Sequence, residues 1–192
     1  MRPRELTIRG FRSYRDEATF DLRDRHLVGI VGPIGAGKST ILDAIAFALF
    51  GKTPRVQRDT RSLINQLADA AHVQLVFEVD GQPWRVTRVL KRKGQGQVQL
   101  VRLEADDPDA AHEEVVLQER PVRDRIEQLL GMDFDTFGRS VLLAQNRFAE
   151  FLLAADTPRN AVLKGVFGYE RFDAALVQLF RDTMEEVADA AS

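Results

Sequence analysis

Lys38 and Ser39 close the run Gly32-Pro33-Ile34-Gly35-Ala36-Gly37-Lys38-Ser39-Thr40, a complete G-x-x-x-x-G-K-[ST] phosphate-binding loop. Each fixed letter has a chemical task. The glycines let the backbone curl so that successive N–H groups point inward at a phosphate. Lys38 carries the positive charge that reaches the β- and γ-phosphates, and the Ser39 hydroxyl is a Mg²⁺ ligand. Pro33, Ile34, Gly35, Ala36, Gly37 and Thr40 complete the expected phosphate-contacting set.

Such a loop works only if a strand delivers it and a helix receives it. The apolar run His26-Leu27-Val28-Gly29-Ile30-Val31 reads as a buried strand, and Ser39 to Phe50 reads as a helix that stops at Gly51. In that setting the phosphate lies at the positive end of the helix dipole.

Around this centre, Leu6, Ile8 and Gly10-Phe11 begin a strand, and Ala18 to Leu22 continues an alternating pattern after the polar bend Arg12-Ser13-Tyr14-Arg15-Asp16. Residues 52–71 read as loop plus a short helix anchored by Leu63, Ile64 and Leu67. Val73, Leu75, Phe77 and Val79 share one face of a strand that turns at Asp80-Gly81. Trp84, Val86 and Val89 answer it, and Val98, Leu100 and Leu103 form a third strand, giving an antiparallel meander. Asp106 to Asp109 is a loop. A helix follows over Pro121 to Leu130, stopped by Gly131, with Val122, Ile126, Leu129 and Leu130 as its apolar face. Phe134, Phe137, Val141 and Leu142 lead to Gln145. A further helix starts at Asp156-Thr157-Pro158 and closes at Gly168. From Tyr169 to Ser192, Phe172, Leu176, Leu179, Met184 and Val187 recur at helical spacings, as in a long helix cut in mid-course.

Composition narrows the classes. The 192 residues suffice for a full core, and a net charge of -2 leaves no global basic character, so any contact with nucleic acid must be local. With no cysteine there is no disulfide framework and no thiol chemistry, and the three histidines, His26, His72 and His112, are too scattered for a metal site. No apolar run approaches membrane length, so a cytoplasmic protein without membrane contact is expected. A hydrolytic P-loop domain also needs a second strand ending in an acid. The best available candidates are Val76-Phe77-Glu78 and Val79-Asp80, and Asp80-Gly81 is better explained as a turn. The chain thus reads as half of an ATPase, with the other half expected beyond Ser192.

These stretches resemble the N-terminal ATPase segment of SbcC-type DNA double-strand-break repair ATPases, in the SMC branch of the ABC ATPases. The resemblance is carried by Leu6 to Tyr14, by Gly32 to Gly51, and by Phe137 to Leu152 with Leu163 to Gly168, so it runs essentially end to end. It implies an α/β P-loop lobe of ABC-ATPase head type over 1–168, with an antiparallel meander, and the start of a coiled-coil helix over 169–192. By motif position, Arg12 and Ser13 look like phosphate contacts. Lys38 and Gln145 look catalytic, and Ser39 and Gln145 look like the Mg²⁺ shell, with Gln145 placing the attacking water. Asn146 stands where the family usually has glycine. The implied cofactors are ATP and Mg²⁺. The implied partners are a C-terminal lobe of the same protein bearing the Walker B acid and signature motif, a second head, an SbcD-type nuclease and double-stranded DNA. Hydrolysis by the fragment alone is not expected.

Three other readings are open, one of them a purely structural head that binds ATP without turnover. A RecF-like recombination ATPase shares the opening strand and loop but lacks a long coiled coil. A self-contained P-loop kinase for a small molecule would need a lid and a substrate pocket that these elements do not offer. The basic residues Arg85, Arg88, Lys91, Arg92, Lys93 and Arg102 are either a charged outer face that protects a sheet edge or a DNA-backbone contact.

Overall fold

The alternation in the middle of the chain forms the sheet that was expected of it. In the computed structural model, which describes residues 1–104 and 112–142, β3 (Ala70–Val79) and β4 (Gln82–Lys91) pair in register from Ala70 opposite Lys91 to Val79 opposite Gln82. Asp80 and Gly81 form the two-residue turn, both with positive φ (51° and 80°), as a tight hairpin requires. β5 (Gln97–Leu103) continues the meander. β1 (Arg2–Arg9) and the short β2 (Ala18–Asp21) extend it on the other side.

A strand that the sequence pattern does not announce, β6 (His112–Leu117), pairs with β5 and completes a six-stranded antiparallel sheet of order β2-β1-β3-β4-β5-β6. Its only signal is the short apolar stretch Val115-Val116-Leu117, and Val115 and Leu117 stay exposed at this edge.

The sheet buries Leu6, Ile8, Val73, Leu75, Phe77, Trp84, Val86 and Leu100, which the pairing registers place on one face. Helix α1 (Lys38–Phe50) contacts β3 and β4, and α2 (Glu119–Leu130) contacts β5 and β6. Val122 and Ile126 are the buried positions of α2, and Arg125 forks onto Glu114 of β6 at 3.1 and 3.0 Å. A short 3-10 turn, Thr60–Leu63, lies between α1 and β3. The chain divides into two compact units, Met1–Phe134 and Asp135–Ser192. Among the described residues the second unit contains most of α3 (Phe134–Ser140), whose end is closed by Val141 and Leu142 donating to the Phe137 carbonyl.

Four expectations need correction. Residues 26–31 are not a buried strand: they pair with no strand among the described residues, and Leu27 and Val31 are 92% and 95% exposed. Their apolar character is that of a central strand, but nothing described flanks them to supply the ladder. Leu67 is exposed and anchors nothing, whereas Leu63 and Ile64 are buried as expected. Val89 is not on the buried face of β4; parity puts Arg88 there, beside Trp84 and Val86. Finally, Arg88 is only 2% exposed and so lies in the core, outside any DNA-facing patch. The pairing Trp84–Arg102 and Val76–Arg85–Val101 places Arg102 on the helix-covered face and Arg85 on the opposite one, so the basic residues do not form one surface.

Candidate phosphate-binding site

Gly37 sets the geometry of the loop. It stands at the N-cap of α1 in the left-handed region, φ 88°, where a side chain would be strained. A Cβ there would also come within 3.0 Å of Ser13 Cβ and 3.2 Å of the Tyr14 ring. No side chain caps the helix and no acid lies in its first turn, so the N–H groups and positive dipole end face outward without competition. Lys38 folds back over its own loop, its Nζ donating to the Gly32 carbonyl at 2.7 Å and the Pro33 carbonyl at 2.8 Å. Ser39 follows it at the start of the helix.

The Arg12-Ser13 bend arrives beside this loop by a defined route. Phe11 and Tyr14 exchange both backbone hydrogen bonds at 2.9 Å, which makes 11–14 a tight turn with Arg12 at φ 49°. Three successive residues of the turn then meet α1 in antiparallel order. The Phe11 ring lies 5.3 Å from that of Phe47, Arg12 lies 3.7 Å from Asp43, and the Ser13 hydroxyl lies 3.5 Å from that of Thr40. Thr40, Asp43 and Phe47 are spaced three and four residues apart, so they form one stripe of the helix. The stripe runs toward the N-terminus and brings Ser13 to Gly37.

A left-handed arginine costs roughly 1–2 kcal/mol, and its neighbours offset that. The Arg12 N–H donates to the Leu63 carbonyl at 2.7 Å, and Asn65 Nδ2 donates to the Arg12 carbonyl at 2.6 Å. Asn65 N–H also donates to the Gly10 carbonyl at 2.8 Å, while Arg92 holds the carbonyls of Asn65 and Ala68 at 2.7 Å each. Segment 63–68 is therefore a cradle for the turn, tied down from the end of β4. Sequence reasoning misses Asn65, and it misses Asp43 although Asp43 lies within the loop-and-helix stretch, four residues after Ser39. Burial pushes the Asp43 carboxyl above its ordinary range, against the opposing influence of Arg12 and Arg55.

Of the expected site residues, Arg12, Ser13, Lys38, Ser39 and Thr40 are brought together at one end of α1. Ile34 projects fully into solvent, consistent with a loop that works through its backbone. Gln145 lies outside the described residues. No cluster of His, Asp or Glu among the described residues is arranged to hold a metal by itself, so a cation here would depend on Ser39 and on oxygens of the ligand. Glu78 is paired with Arg4 at 3.3 Å and Asp80 is the hairpin turn, so neither serves this site. None of the helices among the described residues is long and apolar enough to cross a membrane.

A glycine loop that delivers a lysine and a hydroxyl to an uncapped helix end, backed by this sheet, defines the class: an α/β P-loop lobe of the ABC-ATPase head type. Residues 5–187 match the family model described as AAA domain, and the chain belongs to that family. It is similar to the SbcC component of the SbcCD nuclease of Deinococcus radiodurans, with 40% identity over 174 residues, 89% of this chain and 19% of that protein. The Bacillus subtilis protein of the same name is 34% identical over 192 residues, 97% of this chain and 17% of that one. A probable DNA double-strand break repair Rad50 ATPase of Aquifex aeolicus is 28% identical over 178 residues, covering 90% of this chain and 17% of its own. The chain thus spans less than a fifth of the length of these relatives. Among solved structures, an SMC head domain from Thermotoga maritima aligns with 65% of this chain and 42% of its own, at 30% identity and a TM-score of 0.44.

Proposed function

We propose that this chain is the N-terminal lobe of an SbcC-like ATPase, with residues 1–168 forming the lobe and 169–192 starting its coiled coil. In this reading it binds ATP with Mg²⁺ and, once closed by a C-terminal lobe and a second head, hydrolyses ATP to control a nuclease acting on double-stranded DNA. The observation that carries the reading is the meeting of Gly37, Lys38, Ser39 and the Arg12-Ser13 turn at the uncapped start of α1. The donor set suits a triphosphate: backbone N–H groups, an ammonium, a hydroxyl and a guanidinium, with no acid in the first turn.

Lys38 would leave the Gly32 and Pro33 carbonyls to bind phosphate oxygens, and Ser39 would ligate the cation. Held there by the Ser39 hydroxyl, Mg²⁺ would supply positive charge against the phosphates. Gln145 would orient the attacking water. Leu27, Val28, Ile30 and Val31, apolar and exposed, support the idea of a second lobe, because apolar side chains left in solvent gain by being covered.

The test is titration of ATP with Mg²⁺ into the chain by calorimetry, with Lys38→Ala as comparison. Heat of binding that vanishes in the variant is the expected result; equal affinity of parent and variant removes the loop from the function.

A further inference from the structure

Asp43 has more positive charge around it than hydrogen bonds to show for it. Its side chain is 6% exposed; Arg12 and Arg55 approach the same oxygen, Oδ2, at 3.7 and 3.9 Å, and that oxygen accepts no hydrogen bond. Both guanidinium groups are held at Coulombic rather than hydrogen-bonding range. We propose that Asp43 is a positioning residue that aims the Arg12 guanidinium at the phosphates of a nucleotide bound by residues 32–40; this rests on the nucleotide-binding reading above.

Three features of the geometry carry it. Asp43 lies one helical turn after Ser39, so its side chain stands on the flank of α1 that leads to the phosphate loop. The Arg12 backbone is already fixed from both sides, by the Leu63 carbonyl and by Asn65, so only the side-chain torsions are left to be set. Finally, Asp43 is shared. With Arg55 drawing on the same oxygen, Arg12 is oriented without being locked, and its N–H donors stay available to a phosphate oxygen. A bidentate pair at about 2.8 Å would instead consume those donors.

Burial raises the Asp43 pKa against the pull of Arg12 and Arg55, so keeping the carboxylate ionised in the fold carries a cost. Simple electrostatics does not explain the residue: a carboxylate beside an anion site weakens anion binding. The positioning role is the reading in which removing Asp43 weakens ATP binding.

The experiment is calorimetric titration of ATP with Mg²⁺ into the 192-residue chain and its Asp43→Asn, Arg12→Ala and Asp43→Asn/Arg12→Ala variants, each checked for folding by thermal melting. Asp43→Asn should raise the Kd about tenfold, or ~1.4 kcal/mol. Arg12→Ala should do the same, and the double variant should lose no more than either single one, since both act through one guanidinium. An Asp43→Asn variant that binds as tightly as the parent, or more tightly, overturns the proposal, as do losses that multiply in the double variant. If Asp43→Asn does not fold, Arg12→Ala and Arg55→Ala carry the test. The loss with Arg12→Ala must then exceed that with Arg55→Ala by about fivefold, and equal losses overturn the proposal. Lys38→Ala separates the two readings. If parent and Lys38→Ala bind alike, the phosphate-loop assignment fails and the positioning role falls with it. If Lys38→Ala alone abolishes binding while Asp43→Asn does not weaken it, only the positioning role is wrong.

Discussion

Arg88 shows how a single residue can break a pattern that is otherwise easy to read. β4 alternates, and the position after Trp84 and Val86 on its buried face should be apolar; on sequence alone Val89 takes it and Arg88 is left to solvent. Instead the Arg88 guanidinium is buried against the end of α1, donating to the Ala48 carbonyl at 2.7 Å and the Leu49 carbonyl at 3.1 Å, with Glu119 as its counter-charge. Those carbonyls are in the last turn of the helix and have no onward helical partner, and a cation there also complements the dipole. Nothing in the spacing announces this, because the partners lie about 40 and 31 residues away in sequence. Arg88→Met should keep much of the volume but leave the carbonyls and Glu119 without their donor. We expect a loss of about 2–4 kcal/mol in urea unfolding. Glu119→Gln should cost less, since Glu119 is largely exposed and its interaction is screened.

At the scale of elements, the meander, α1 and α2 were legible because their signals are local: alternation in 73–103, the Asp80-Gly81 turn, and glycines that stop α1 and α2 at Gly51 and Gly131. The phosphate loop was legible for the same reason. What could not be read was the antiparallel seating of Phe11, Arg12 and Ser13 on Phe47, Asp43 and Thr40, nor the cradle from Asn65, since both depend on tertiary approach.

Gly10 is the hinge of that approach. Its φ is +63°, and a Cβ would run into the Ala70 carbonyl oxygen. Gly10→Ala is expected to destabilise the chain by roughly 2 kcal/mol or more in thermal or urea unfolding and to weaken ATP binding with it. β3 carries a pH signature as well. His72 has its pKa lowered, first by burial and then by Arg9, with Glu17 opposing. The unfolded chain therefore takes up this proton at a higher pH than the folded one. Stability should fall as pH drops below about 6.5–7, and the fall should level off below the folded-state pKa. Melting temperatures between pH 8 and 5 should show this slope, and His72→Gln should flatten it.

At the scale of the whole molecule, the reading that failed most usefully is residues 26–31. Their composition belongs to a strand paired on both sides, yet among the described residues they pair with nothing and are exposed. Together with the absence of a free strand-end acid at Glu78 or Asp80, this leads to an expectation for activity. The chain alone should show negligible Mg²⁺-dependent ATP hydrolysis in a phosphate-release assay. Adding a C-terminal lobe of the same protein should restore turnover and bring ATP-driven dimers visible by light scattering. Robust hydrolysis by residues 1–192 alone would revive the self-contained P-loop enzyme. In the reassembled head, Gln145→Ala should abolish most turnover while leaving the Kd for ATP nearly unchanged, because placing a water acts on the transition state. Unchanged turnover removes Gln145 from the site.

The exposed run at 27–31 also bears on how such a protein is made. Relatives of this chain are roughly five times as long as the matched stretch, and on the two-lobe reading the strand that covers Leu27 to Val31 is translated last. At about 5–20 residues per second, the ribosome would need on the order of a minute to reach it. During that interval an exposed apolar segment would wait on each nascent chain, next to others on the same message. Biosynthesis would then favour either a chaperone that shields the segment or early capture by nucleotide, and the yield of soluble protein should depend on which arrives first.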